Sequence, residues 1–216
     1  MAIKAVIFDL DGVVVSTDEY HYRAWAKLAA EEGIYFDREI NERLRGVSRL
    51  ACLEIILERA KRSYTQREKE RLAARKNSYY RSLLADLSPA DILPGVLDLL
   101  AKLKDLGYKT AIGSASKNAP LILAKIELSE SFDAVVDGNS ITKSKPDPQV
   151  FLLAAELLEV EPAACVVIED AKAGIDAALA AGMRAVGVGS AANYAKAHLR
   201  AENLAALDFE ELMRRR

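Results

Sequence analysis

Asp9 and Asp11 stand two residues apart, just after an apolar run and just before Gly12. If the chain stays extended there, both carboxylates point to one side and can serve one site. Gly12 allows the tight backbone turn such a site needs. A second acidic pair, Glu169-Asp170, follows another β-branched run. Two aspartates at a strand end can equally be an ordinary turn or helix cap, so the first pair alone decides nothing. Four carboxylates on one sheet edge are a different matter, because buried acids are costly unless paired or metal-bound. An all-oxygen set suits Mg²⁺, a hard cation with octahedral preference.

Two further segments supply what phosphate chemistry requires. Ser114-Ala115-Ser116-Lys117-Asn118 puts small residues, hydroxyls and a lysine just ahead of a helical pattern, where backbone N–H groups favour an anion. Lys145 precedes Pro146 and Pro148, in a stiff loop that would hold an ammonium in place. Carboxylates, a metal, hydroxyl and amide donors and a fixed lysine together compose a phosphoryl-transfer site. Each signal is weak alone; their order along the chain is specific.

The elements that must position these residues fall into two rhythms. Residues 3–8 read as a short apolar strand ending at Asp9. From residue 18 to about 82 the pattern is helical: Tyr20, Ala24, Trp25, Leu28 and Ala29 recur at helical spacing and Gly33 supplies a stop. Residues 49–62 and 66–84 continue that periodicity. After Pro89 strands and helices alternate: a helix begun at Pro94 and closed by Gly107, a strand over 109–113, and a helix over 117–126. A strand over 134–136, a helix over 148–158, a strand over 165–168, a helix over 173–181 and a strand over 185–188 follow. Such alternation means a parallel sheet covered on both faces, which the first strand must join. The expectation is a Rossmann-like α/β core, residues 1–16 and 88–216, interrupted by a helical cap, residues 17–87. The two chain crossings would form a hinge.

Composition narrows the classes. The chain has 216 residues, is 51% apolar and carries a net charge of −2, which argues against a dedicated nucleic-acid binder. Cys52 and Cys165 are too far apart and too few for a disulfide framework, and read as reduced thiols in a cytoplasmic protein. No apolar run approaches the roughly 20 residues of a membrane span, and the N-terminus leads into a strand without the apolar stretch of a signal peptide. The Arg214-Arg215-Arg216 tail reads as a solvated end.

The sequence Asp9-Leu10-Asp11-Gly12-Val13, then Ser114, Lys145-Pro146 and Glu169-Asp170 with Gly174, resembles the haloacid dehalogenase-like phosphotransferases along the whole chain. The helical insertion resembles the mobile cap of that superfamily's first subclass. Within the cap, residues 17–25, Arg45-Gly46-Val47-Ser48-Arg49 and Arg75-Lys76-Asn77 look like those of the superfamily's hexose-phosphate mutases. The resemblance implies interconversion of β-glucose 1-phosphate and glucose 6-phosphate through the 1,6-bisphosphate. Asp9 would be the nucleophile and Asp11 the acid and base. Mg²⁺ would be held by Asp9, the Asp11 carbonyl, Glu169 and Asp170.

Ser114, the Ala115 N–H and Lys145 would neutralise the transferring oxygens, and Arg49 with Ser116, Lys117 and Asn118 would hold the far phosphate. Arg49 alone would read as a solvated charge on a helix, and His21 as a surface residue. The resemblance makes His21 a sensor of substrate that helps position Asp11, and lets Thr17 couple closure to the catalytic loop. Arg45, Gly46, Val47, Ser48 and Lys76 would meet the sugar or the closed interface, and Trp25 would pack. Ser16 departs from the mutases, which commonly carry Asp there, and bears on the hinge. The implied partners are small sugar phosphates, without nucleic acid or membrane, and the implied state is a monomer.

Overall fold

A run of four wholly buried residues, Ala-Val-Ile-Phe, forms the first strand, β1 (Ala5–Phe8). Continuous apolarity of this kind marks a strand covered on both faces of a parallel sheet. The computed structural model describes residues 2–44 and 47–214, so Arg45, Gly46, Arg215 and Arg216 lie outside the described residues. The chain divides into two compact units, Met1–Ser16 with Ser88–Arg216, and Thr17–Leu87.

The unit Thr17–Leu87 is helical. It contains α1 (Asp18–Glu31), α2 (Arg38–Glu42), α3 (Arg49–Leu57) and α4 (Gln66–Leu83). The starts of three helices follow from side-chain caps that satisfy otherwise orphaned N–H groups. Asp37 accepts from Ile40 N, Ser48 from Ala51 N, and Thr65 with Glu68 makes a reciprocal capping box. Trp25, Leu28, Ala29, Leu53, Ile56 and Leu72 share one core with Cys52. That core belongs to the helical unit alone.

The other unit continues with α5 (Val96–Asp105), β2 (Lys109–Gly113), α6 (Ala119–Lys125), β3 (Ala134–Val136) and α7 (Gln149–Leu157). β4 (Cys165–Glu169), α8 (Lys172–Ala180), β5 (Arg184–Gly187), β6 (Leu199–Arg200) and α9 (Phe209–Met213) complete it. The strands pair in the order β3-β2-β1-β4-β5-β6, and every pairing is parallel. Strand order reverses between β1 and β4, the switch point where ligands of such sheets collect. Next to it, Val15 pairs antiparallel with Ile92, and Leu93 N donates to Val14 O at 2.9 Å.

Several expected bounds shift. Gly95, at φ 85°, is the N-cap of α5, so Pro94 precedes the helix rather than opening it. Its left-handed backbone needs a glycine, and a Cβ there would meet Ala205 N at 2.2 Å. Asn118 is the N-cap of α6, leaving Lys117 in the loop. Glu169 is the last residue of β4 rather than the first of the loop. Among the described residues no helix is long and apolar enough to cross a membrane.

Candidate phosphoryl-transfer site

Register decides which side chains meet. Phe8 is level with Ile168 across β1 and β4, and Asp9 N donates to Ile168 O at 2.9 Å, so Asp9 and Glu169 leave adjacent strands side by side. The chain bends at Leu10 immediately afterwards. Val13, Val14 and Val15 all direct their N–H groups to Leu10 O, and Gly12 takes φ 87°. The extended geometry that would align Asp11 with Asp9 is therefore absent, because this turn intervenes.

Asp9, Glu169 and Asp170 present carboxylate oxygens within 4.8 Å of one another. Lys145 Nζ lies between two of them, 2.5 Å from Asp9 Oδ1 and 2.5 Å from Glu169 Oε1. Its ammonium sits 4.7 Å above the Phe151 ring, and its side chain is only 3% exposed. Glu169 Oε2 accepts from Ala171 N at 2.8 Å. Burial opposes the Lys145 charge, but the two carboxylates outweigh it and raise its pKa. Burial pushes the Glu169 carboxyl up, Lys145 counters this in part, and the Asp9 charge adds to it. Three carboxylates against one ammonium leave an excess of negative charge in a nearly dry place. A hard divalent cation answers that excess with the right donor atoms.

Two glycines make room for this cluster. A Cβ on Gly174 would fall 1.9 Å from Glu169 Oε1, and one on Gly12 would fall 2.3 Å from Asp170 Oδ2. The glycines of both acidic motifs thus mark where a carboxylate lies against bare backbone.

Ser114 follows β2 and is buried. Its N–H donates to Val136 O and its Oγ accepts from Ser116 N at 3.1 Å. Ser116 Oγ accepts in turn from Asn118 N at 3.2 Å, so the loop 114–118 is wound by its own hydroxyls. Asn139 Nδ2 donates to Lys117 O and Gly138 N to Ser116 O, tying this loop to the one after β3. Ala115 is half-buried, Asn118 is buried and Lys117 is exposed.

In the helical unit, Thr17 is the N-cap of α1 and its carbonyl accepts from His21 N at 3.0 Å. Lys76 lies 2.7 Å from His21 Nδ1. With Lys76 as the ammonium donor, Nδ1 accepts and the ring proton sits on Nε2. His21 stacks on Tyr80 at 4.0 Å, and Lys76 faces the rings of Trp25 at 4.7 Å and Tyr80 at 4.8 Å. Burial, then the charges of Lys76 and Arg49, hold the His21 pKa well below 6.5. Arg49 opens α3 and is half-buried. Val47 and Ser48 are exposed, and Ser48 caps α3. Gly46 lies outside the described residues.

Sequence reasoning did not single out Phe151 or Tyr80. Tyr80 had a signal: Leu72, Ala73, Lys76 and Tyr80 form the buried stripe of α4. Both cysteines are free and buried, and burial pushes each thiol up to about 11, which keeps them protonated and inert.

Residues 3–182 match the family model of the haloacid dehalogenase-like hydrolases. Over 189 residues the chain is 50% identical to the β-phosphoglucomutase of Bacillus subtilis, covering 87% of this chain and 84% of that one. It is 34% identical to a fructose-1-phosphate phosphatase of Escherichia coli, covering 85% and 95%. Among solved structures, a β-phosphoglucomutase from Clostridium difficile superposes with a TM-score of 0.90 at 45% identity, covering 96% of this chain and 94% of that one.

Proposed function

The chain belongs to the haloacid dehalogenase-like hydrolase family, and we propose that it is a β-phosphoglucomutase. It interconverts β-glucose 1-phosphate and glucose 6-phosphate through β-glucose 1,6-bisphosphate. The observation that carries the reading is Lys145 held between Asp9 and Glu169 beside Asp170, in a chain half identical to a curated mutase.

The roles divide as follows. Asp9 attacks phosphorus of the bisphosphate and becomes an aspartyl phosphate. The bond from phosphorus to the sugar oxygen breaks, and Asp11 gives that oxygen its proton. In the other half of the cycle Asp11 takes the proton of a sugar hydroxyl, whose oxygen attacks the aspartyl phosphate and frees Asp9. Ser114, the Ala115 N–H and Lys145 counter the charge on the transferring oxygens, the largest kind of contribution in this chemistry.

Asp9, Glu169, Asp170 and the Asp11 carbonyl are the groups that would hold Mg²⁺. When bound, the cation supplies further neutralisation of phosphoryl charge. A mutase also needs a second anchor, because the bisphosphate must fit with either end forward. That role falls to Arg49, with Ser116, Lys117 and Asn118; an arginine takes phosphate oxygens with its planar fork. His21 and Thr17 orient the catalytic loop, while Gly46, Val47, Ser48 and Lys76 meet the sugar. The same reading makes the protein a cytoplasmic monomer acting on small sugar phosphates.

A sugar-phosphate phosphatase with the same nucleophile is the second reading, favoured by the phosphatase relative at 34% identity. One assay separates them. With β-glucose 1-phosphate, Mg²⁺ and catalytic β-glucose 1,6-bisphosphate, the mutase yields glucose 6-phosphate, leaves α-glucose 1-phosphate untouched, and fails in Asp9→Asn. Free phosphate as the main product would establish the phosphatase instead.

A further inference from the structure

We infer that Ser190 is a positioning residue for Asp170, fixing the backbone from which that carboxylate reaches Asp9 and Glu169. The inference rests on the proposed reading of these carboxylates as a Mg²⁺ site and adds a residue to it. The last backbone bond between β4 and β5 runs from Val188 N to Glu169 O at 2.9 Å. The next carbonyl outward is that of Asp170, and it accepts from the Ser190 hydroxyl at 2.6 Å. A side chain therefore takes over where the strand ladder stops.

The hydroxyl is delivered by a tight turn over Gly189–Ala191. Ala191 N donates to Val188 O and Ala192 N to Gly189 O, while Gly189 N reaches across to Glu202 O at 2.9 Å. Gly189 has φ 52°, and a Cβ placed on it would lie 3.8 Å from Asp170 Cβ. The turn thus lies against Asp170. On another side the Asp170 carboxylate abuts the bare Cα of Gly12. One residue is fixed at its carbonyl by Ser190 and at its carboxylate by a glycine. Groups that orient a metal ligand govern affinity without touching the metal.

Ser190 is itself exposed, and its hydroxyl packs against no core, so replacing it leaves the fold intact. Exposure also lets water replace part of what is lost, which keeps the expected effect small. Isothermal titration of the metal-free protein with Mg²⁺, beside its melting temperature without metal, tests the assignment. Ser190→Ala weakens Mg²⁺ binding about 3–10-fold, leaves the metal-free melting temperature unchanged, and keeps kcat near wild type at saturating Mg²⁺. Ser190→Thr, which retains the hydroxyl, restores the affinity.

Unaltered affinity in Ser190→Ala overturns the inference. So does a loss of affinity matched by a fall in metal-free stability, or one that threonine does not restore. Asp170→Asn serves as the reference for a lost ligand. If wild type and Asp170→Asn are equally blind to Mg²⁺, the metal reading itself fails and takes this inference with it. Binding by wild type with no change in Ser190→Ala rejects Ser190 alone.

Discussion

At the edge of the parallel sheet, Lys145 lies between the carboxylates of Asp9 and Glu169. Inside the helical unit, Lys76 lies against the Trp25 and Tyr80 rings with His21 Nδ1 at 2.7 Å. Both lysines are almost wholly buried, yet their surroundings differ in kind. The first is outnumbered by acids, and its neighbourhood calls for more positive charge. The second has aromatic faces and a neutral imidazole beside it, with Arg49 adding to the positive potential. An ammonium is tolerated over aromatic rings at modest gain, and such a place suits an anion. The proposed reading gives the first region a cation and the second a phosphate.

The largest test of that contrast removes the proposed nucleophile. Asp9→Asn lowers turnover by at least about 10³-fold and abolishes the phosphorylated enzyme, read by mass spectrometry after mixing with bisphosphate. Next comes Lys145→Met, which strands two buried carboxylates. It destabilises the metal-free protein by about 3–5 kcal/mol, measured by urea unfolding, and Mg²⁺ recovers part of the loss. Lys76→Met is the matching change in the helical unit. The hydrogen-bonding side chain described beside it is an imidazole rather than a carboxylate, so stability falls less than in Lys145→Met, while KM for sugar phosphate rises. Equal destabilisation by the two substitutions would erase the contrast.

The smallest effect is a pH dependence. His21 is held below its unfolded pKa of 6.5, so on acidification the unfolded chain binds the proton first. Its contribution to stability is complete above about pH 6.5 and is lost as pH falls towards the folded pKa, by at most about 1.4 kcal/mol per pH unit. The urea midpoints of wild type and His21→Gln, compared between neutral and mildly acid pH, isolate this term. Parallel curves would mean that His21 is not held neutral.

Much of this was legible in the sequence where burial and periodicity act together. β1, residues 111–113 of β2 and residues 165–168 of β4 are buried apolar runs, and the polar residues that follow them, Asp9, Ser114 and Glu169, stand out against them. β6 has two residues, and α2 and α9 have five each, too short for any periodicity to develop. Gly12 announced a turn after Asp9, but not that it starts at Leu10, whose carbonyl collects the N–H groups of Val13, Val14 and Val15. Lys76 was singled out by the resemblance and not by its surroundings; its place on the stripe of Leu72 and Tyr80 is what betrays its burial. Ser190 carried no signal, since a serine after a glycine in an exposed turn is commonplace and its partner is a carbonyl.

The pairing of Val15 with Ile92 bears on how such a chain can be assembled. The stem of the insertion is closed by the α/β unit's own backbone, so the helical unit is topologically a long loop on a hairpin-like neck. Closure entropy grows only with the logarithm of loop length. A short turn, or a different domain, spliced between residues 16 and 88 would leave the strand order and its register untouched. The neck makes the insertion an exchangeable module, one that can be replaced without refolding the sheet.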